Sequence, residues 1–180
     1  ALQAAQAIRV ELPPSGRYES EIGLAARAWM RSLGRSLERG AILVVDYGFS
    51  GPEFYHPQRS MGTLACHYRH HVHDDPFFYP GLQDITAHVD FSALASAGRG
   101  AGLELAGWTS QANFLVNCGI TDLLGALDPA DARGYAPQAA AVNRMLSPAE
   151  MGELFKVLAL GRGLSAACRG FAHGERGGRL

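Results

Sequence analysis

Six consecutive residues, AILVVD at 41–46, leave few folds open. A short apolar run rich in β-branched side chains has no polar face to offer water, so it suits a strand covered on both sides in a parallel sheet. The stretch before it has a different period. From Ser20 to Arg39, apolar residues fall at Ile22, Ala25, Ala26, Trp29, Leu33 and Leu37. That is one face of a helix, with Ser20 placed to cap its start and Gly40 to end it. Downstream, Asp90 opens a second helix as its cap, Val89 and Leu94 are spaced as a staple, and glycines 98, 100 and 102 stop it. LELAGW at 103–108 then reads as another strand. Strand, crossover helix and strand form a parallel, right-handed βαβ unit, which predicts an open α/β sheet.

Two more helices are expected. One begins near Thr109 or Ser110, carries Phe114, Leu115 and Cys118, and stops at Gly119. The other begins at SPAE, 147–150, where Ser147 caps and Pro148 takes the first helical position; Met151, Leu154, Phe155 and Leu158 supply its apolar face. The polar segment DPADARGYAPQ, 128–138, reads as a loop.

Composition narrows the function. At 180 residues and 47% hydrophobic, the chain can bury one core. A formal net charge of −1 gives no basic field for nucleic acid or an anionic membrane surface, so neither is expected as a partner. No stretch approaches the roughly 20 apolar residues of a bilayer span. Cys66, Cys118 and Cys168 form no CxxC pair, which argues against a disulfide framework or a thiolate zinc site and for a reducing compartment. The opening ALQAAQ lacks methionine and any domain-starting signal, so the chain is expected to continue a longer polypeptide.

Some forty residues, 48–88, separate the first strand from the second helix, where most such connections take about 2–6. This long loop leaves the carboxyl end of a buried strand, the edge at which open α/β sheets bind ligands. Asp46 and Tyr47 stand there. The loop also holds His67, His70, His71, His73, Asp74 and Asp75, all competent metal ligands. A metal-dependent hydrolase would need several of them in one shell. On one extended segment, however, His67, Arg69, His71 and His73 point the same way, and an arginine does not belong in a cation site, so no metal is expected. Asp84, Thr86 and His88 alternate and would share one face, which marks them as the better catalytic candidates.

DYGF after a buried strand, then GTL, HDD, GLQDITAHVDF and TSQANFL in that order, closely resemble the MidA family of S-adenosylmethionine-dependent methyltransferases, from about Tyr18 to Gly119 and more weakly to Lys156. Mitochondrial members of that family are protein arginine methyltransferases in respiratory complex I assembly. The resemblance implies a Rossmann-like class I methyltransferase sheet, mostly parallel with helices on both faces and a long inserted loop. Of this the 180 residues would be the C-terminal half, with 48–88 on the substrate side. The family's E/D-x-G-x-G cofactor motif lies upstream and is absent here; GRGAG at 98–102 ends a helix instead of opening one. The resemblance therefore implies S-adenosylmethionine as cofactor of the complete protein and a protein substrate, such as a complex I subunit. It implies bacterial cytoplasm, or the mitochondrial matrix in a eukaryote. A guanidinium substrate assigns Asp84 and His88 as catalytic residues and Asp46, Tyr47 and Arg69 as substrate-binding ones. The alternative readings are the metal-dependent hydrolase and a non-catalytic protein-binding module.

Overall fold

The computed structural model describes residues 2–6, 8 and 16–180. A short helix α1 (Leu2–Gln6) is followed by α2 (Leu24–Ser36) and the long strand β1 (Gly40–Phe49). α2 is shorter than its periodicity suggests. Gly23 precedes it without a side-chain cap, so Ser20 plays no such role. Its buried side runs through Ala26, Met30, Gly34 and Leu37, leaving Trp29 half-exposed. Next come α3 (Gly51–Phe54) and three short strands, β2 (Ala65–Tyr68), β3 (His71–His73) and β4 (Asp84–Thr86), then β5 (Val89–Asp90), α4 (Phe91–Arg99), β6 (Glu104–Ser110) and α5 (Gln111–Cys118). The chain closes through α6 (Ile120–Gly125), α7 (Ala132–Leu146), β7 (Phe155–Arg162) and two 3-10 turns at Arg169–Phe171 and Gly177–Arg179.

The main sheet has the order β5-β1-β7-β6. β1 and β6 point the same way, but they are not neighbours: β7 lies between them, antiparallel to both. The expected direct parallel pair is thus replaced by a mixed arrangement, and only the two-residue contact of β5 with β1 is parallel. Gly48 is required at that contact, because a Cβ there would collide with the backbone of Val89.

β7 corrects the reading of SPAE as a helix start. FKVLAL is continuous apolar chain because its two faces enter different cores: Leu158 and Leu160 meet α2 and α4, while Val157 and Ala159 meet Phe171 with Phe114 beside it. A helix would have turned part of that run to water. Residues 147–154 make turns instead, and the expected loop at 128–138 carries the start of α7, capped by Asp131 through the N–H of Gly134. Pro137 removes one hydrogen bond from α7, which no core pins, as none of its residues is buried. β1 is also covered on one face only: Ile42 and Val44 join the core, and Leu43 and Val45 are about half exposed.

Residues 65–86 are a small antiparallel sheet, β3-β2-β4, not an irregular loop. β2 and β3 are joined by two residues, Arg69 and His70, at φ 47° and 67°. Two successive positive φ values are the mark of the tight hairpin turn whose twist matches its strands.

Candidate functional site at the carboxyl end of β1

Tyr47, Phe49 and His88 meet where β1 ends. The His88 ring stacks on Phe49, centroids 5.1 Å apart and 25° between planes, and meets the edge of Tyr47 at 5.1 Å. Tyr47 in turn packs against Phe155 of β7. The Arg59 guanidinium lies 4.1 Å over the Phe49 ring. Asp46 stands opposite Lys156 in the β1–β7 register, and its Oδ1 accepts the N–H of Tyr47 at 2.8 Å.

His88 is held from behind. Its N–H donates to Thr63 Oγ1 at 3.0 Å, and Thr63 is gripped by Glu21. The Glu21 carboxylate accepts the backbone N–H groups of Thr63 and Leu64 at 2.7 and 2.6 Å and the Thr63 hydroxyl at 3.3 Å. Gly62, at φ +71°, allows this approach, since a Cβ would strike the Glu21 carboxylate. The GTL triplet is thus a carboxylate-clamped turn that fixes the backbone of His88. Burial pushes the His88 imidazole below its ordinary value, and the Arg59 charge pushes it the same way. Glu21, a hydrogen bond of the ring with the Thr63 backbone and Asp46 act against that shift. The depressed value keeps the ring neutral near pH 7, and its buried Nδ1 has no hydrogen-bond partner among the described residues. In a neutral imidazole one nitrogen carries the proton and the other can accept one, so the ring is competent as a proton acceptor.

The sequence-derived candidates separate into two groups. Tyr47 and His88 are in ring contact, and Asp46, the residue before Tyr47 on β1, is near enough for its charge to act on the imidazole. Asp84 does not join them: it is exposed on β4, paired across the sheet with His67, and no hydrogen bond or ion pair ties it to Asp46 or His88 among the described residues. β4 ends at Thr86, so the alternation that put Asp84 and His88 on one face breaks before His88. Arg69 sits in the hairpin turn, exposed, with its guanidinium 5.4 Å over Tyr68. That turn also corrects the single extended face proposed for the histidines. His67 pairs with Val72, Tyr68 with His71 and Cys66 with His73, and no group of three metal-competent side chains forms among the described residues.

Asp90 does more than cap α4. Oδ1 accepts the N–H of Ala93 at 3.0 Å, while Oδ2 accepts the Tyr55 hydroxyl at 3.2 Å and lies 3.6 Å from the Arg27 guanidinium. Burial and the Asp90 charge push the Tyr55 phenol well above its ordinary value, so it stays a hydrogen-bond donor. A cleft of about 550 Å³ opens beside this trio between α2, α3 and α4. Glu21, Arg59 and Tyr55 were missed in the sequence because their partners lie 42, 10 and 35 positions away, beyond any local period.

GRGAG does not offer a cofactor loop. Gly98 packs on Leu160 and Leu103, the chain turns through 99–102, and β6 begins at Glu104, so the run lies at the amino end of β6. Phosphate- and nucleoside-binding glycine turns need the opposite edge and a following helix. The run at 98–102 is therefore not placed as a cofactor-binding glycine turn.

An open mixed sheet, helices on both faces and a polar cluster at the carboxyl end of its central strand define a ligand-binding α/β protein. Residues 2–109 match the model of the family described as "Putative S-adenosyl-L-methionine-dependent methyltransferase", and the chain belongs to that family. It is 36% identical over 130 residues to the protein named Protein arginine methyltransferase NDUFAF7, mitochondrial, of Rattus norvegicus, and 38% identical over 127 residues to its Bos taurus counterpart. Those alignments take in 67% and 69% of this chain but 26% and 27% of the relatives. A solved Burkholderia thailandensis structure with S-adenosyl-homocysteine bound is 52% identical, with a TM-score of 0.91 over 100% of this chain and 46% of that one. A native structure from the same organism gives 52% and 0.92, over 99% of this chain and 47% of that chain. The chain thus spans about a quarter of the curated relatives it matches and just under half of the solved chains.

Proposed function

We propose that these residues form the substrate-side half of an S-adenosylmethionine-dependent methyltransferase that modifies an arginine of a protein. The observation that carries this reading is the match over the whole chain, at 52% identity, to a structure with S-adenosyl-homocysteine bound. The names of the arginine methyltransferase relatives supply the acceptor. The donor supplies an electrophilic methyl group, and the residues that hold it lie outside this chain. The complex I subunit implied by the MidA resemblance is the substrate to try first. On the same reading a bacterial owner keeps the enzyme in its cytoplasm and a eukaryotic one in the mitochondrial matrix.

What this chain contributes is orientation and proton acceptance. A guanidinium has a pKa above about 12, so its attacking nitrogen must be aimed and must shed a proton. With Oδ1 of Asp46 engaged by Tyr47 N–H, Oδ2 is left to take a guanidinium N–H as a charge-assisted hydrogen bond. The Tyr47 and Phe49 rings form walls, and the His88 imidazole takes the proton. Asp84, on the exposed arm, is left to meet the substrate outside this cluster. In single-turnover assays of the complete protein, Asp46→Asn and His88→Gln should each lower the transfer rate at least ten-fold with donor affinity unchanged. Rates within two-fold of wild type for both would remove the site assigned here.

A further inference from the structure

Beside the His88 cluster lies an open concavity of about 320 Å³, lined by Arg59, Lys156, Arg176 and Arg179 with Glu53 and Glu153. Four cations face two carboxylates. Glu153 is already occupied: it pairs bidentately with Arg176 at 3.1 and 3.2 Å and lies 3.7 Å from Lys156 Nζ. Arg59 donates Nε to the Glu53 carbonyl, and neither its guanidinium nor that of Arg179 has a carboxylate in ion-pair range among the described residues. Lys156, the only lysine of the chain, is 7% exposed and is answered by Glu153, through its carboxylate and its backbone carbonyl, which leaves Arg59 and Arg179 as the cations without a carboxylate. The cavity is also lined by Trp108, 1% exposed, whose indole N–H is buried with no acceptor. Excess positive charge and an unanswered buried donor in one concavity describe a site for an anionic acceptor group.

The geometry points to a carboxylate of the substrate itself, and we propose that the cavity receives an Asp or Glu side chain close in sequence to the modified arginine. Phe49 touches both places: its ring stacks on His88 at 5.1 Å and lies 4.1 Å under Arg59. The two sites are therefore one aromatic ring apart, a span that an extended peptide covers in two or three residues at about 3.3–3.6 Å each. Arg59 and Arg179 are the specificity-determining cations. The proposal rests on the arginine-substrate reading above, and its test is a binding measurement that needs no methyl transfer.

The probe is a fluorescein-labelled peptide Arg-Gly-Glu with blocked ends, titrated against the complete protein by anisotropy beside its Arg-Gly-Gln analogue. Wild type should bind the Glu peptide on the order of ten-fold more tightly, the worth of one charge-assisted hydrogen bond near solvent. Arg179→Gln should erase the difference and leave the Gln peptide's affinity unchanged; the residue sits in an exposed turn, and Arg59→Gln provides a second variant from another segment. Equal binding of the two peptides by wild type, or a preference that survives both variants, overturns the proposal. Free glutarate competing as well as the Glu peptide would also overturn it, since the anion would then be a small metabolite. Tight, variant-sensitive Glu-peptide binding without any transfer to arginine would keep the carboxylate site and remove the arginine methyltransferase reading.

Discussion

Replacing Asp90 by alanine removes three interactions at once. The α4 cap, Ala93 N–H on Oδ1, is worth about 1 kcal/mol. The Tyr55 hydroxyl at 3.2 Å and Arg27 at 3.6 Å then lose their shared acceptor. Both are mostly buried, and the Arg27 Nε has no partner even in the intact protein, so the stranded donors should cost about 1–3 kcal/mol more. The sum, about 2–4 kcal/mol, corresponds to a fall in Tm of roughly 6–12 °C at its midpoint for a domain of this size. Asp90→Asn keeps the cap on Oδ1 but puts an amide NH2 where Oδ2 accepted from Tyr55 and faced Arg27, so the loss should be about 1–3 kcal/mol, smaller than for alanine by the worth of the cap. Urea unfolding of both variants, with Tyr55→Phe to complete a double-mutant cycle, separates cap from network. A loss below about 0.5 kcal/mol for Asp90→Ala, or equal losses for Asn and Ala, would refute the three-way role.

Gly62→Ala should destabilise by about 1–3 kcal/mol, because the residue needs φ +71° and the new methyl strikes Glu21; Glu21→Ala should lower transfer more than stability, by releasing the turn behind His88. The pH–rate profile of the complete protein should keep its acidic limb below the ordinary histidine value of about 6.5, and Arg59→Gln should move that limb upward, since Arg59 helps depress His88. For stability the sign follows the same shift. The unfolded state binds the His88 proton more readily, so stability is lost as pH falls from about 6.5 toward the depressed folded value. Calorimetric titration of these 180 residues with S-adenosyl-homocysteine should give no measurable heat of binding, whereas the complete protein should bind; micromolar affinity of the chain alone would contradict the placement of the cofactor site outside it.

The parts of this fold written in short-range chemistry could be read from the sequence. The β-branched run at 41–46, the Asp90 cap and the Ser110 cap with Gly119 closing α5 all rest on contacts within a few residues. β7 could not be read that way. Its strand character depends on being wedged between β1 and β6, while SPAE offers a strong local helix signal that turns at 147–154 consume instead. The hairpin at Arg69–His70 lacks the glycine or asparagine that advertises such a turn, so one extended face was read where there are two strands. Among the candidates, Asp46, Tyr47 and His88 can be singled out in the sequence because one strand and one motif carry them. The carboxylate that steadies His88 through Thr63 is Glu21, and only the folded chain brings it there.

The central claim is that the carboxyl edge of β1 presents a protein arginine for methylation. Its most direct measurement is transfer from tritium-labelled S-adenosylmethionine by the complete protein, followed by acid hydrolysis and amino-acid analysis of the labelled product. The label should appear in methylarginine and fall at least ten-fold with Asp46→Asn while falling less than three-fold with Asp84→Asn. Label in methyl-lysine or a carboxyl ester, or a larger loss with Asp84→Asn than with Asp46→Asn, would contradict it.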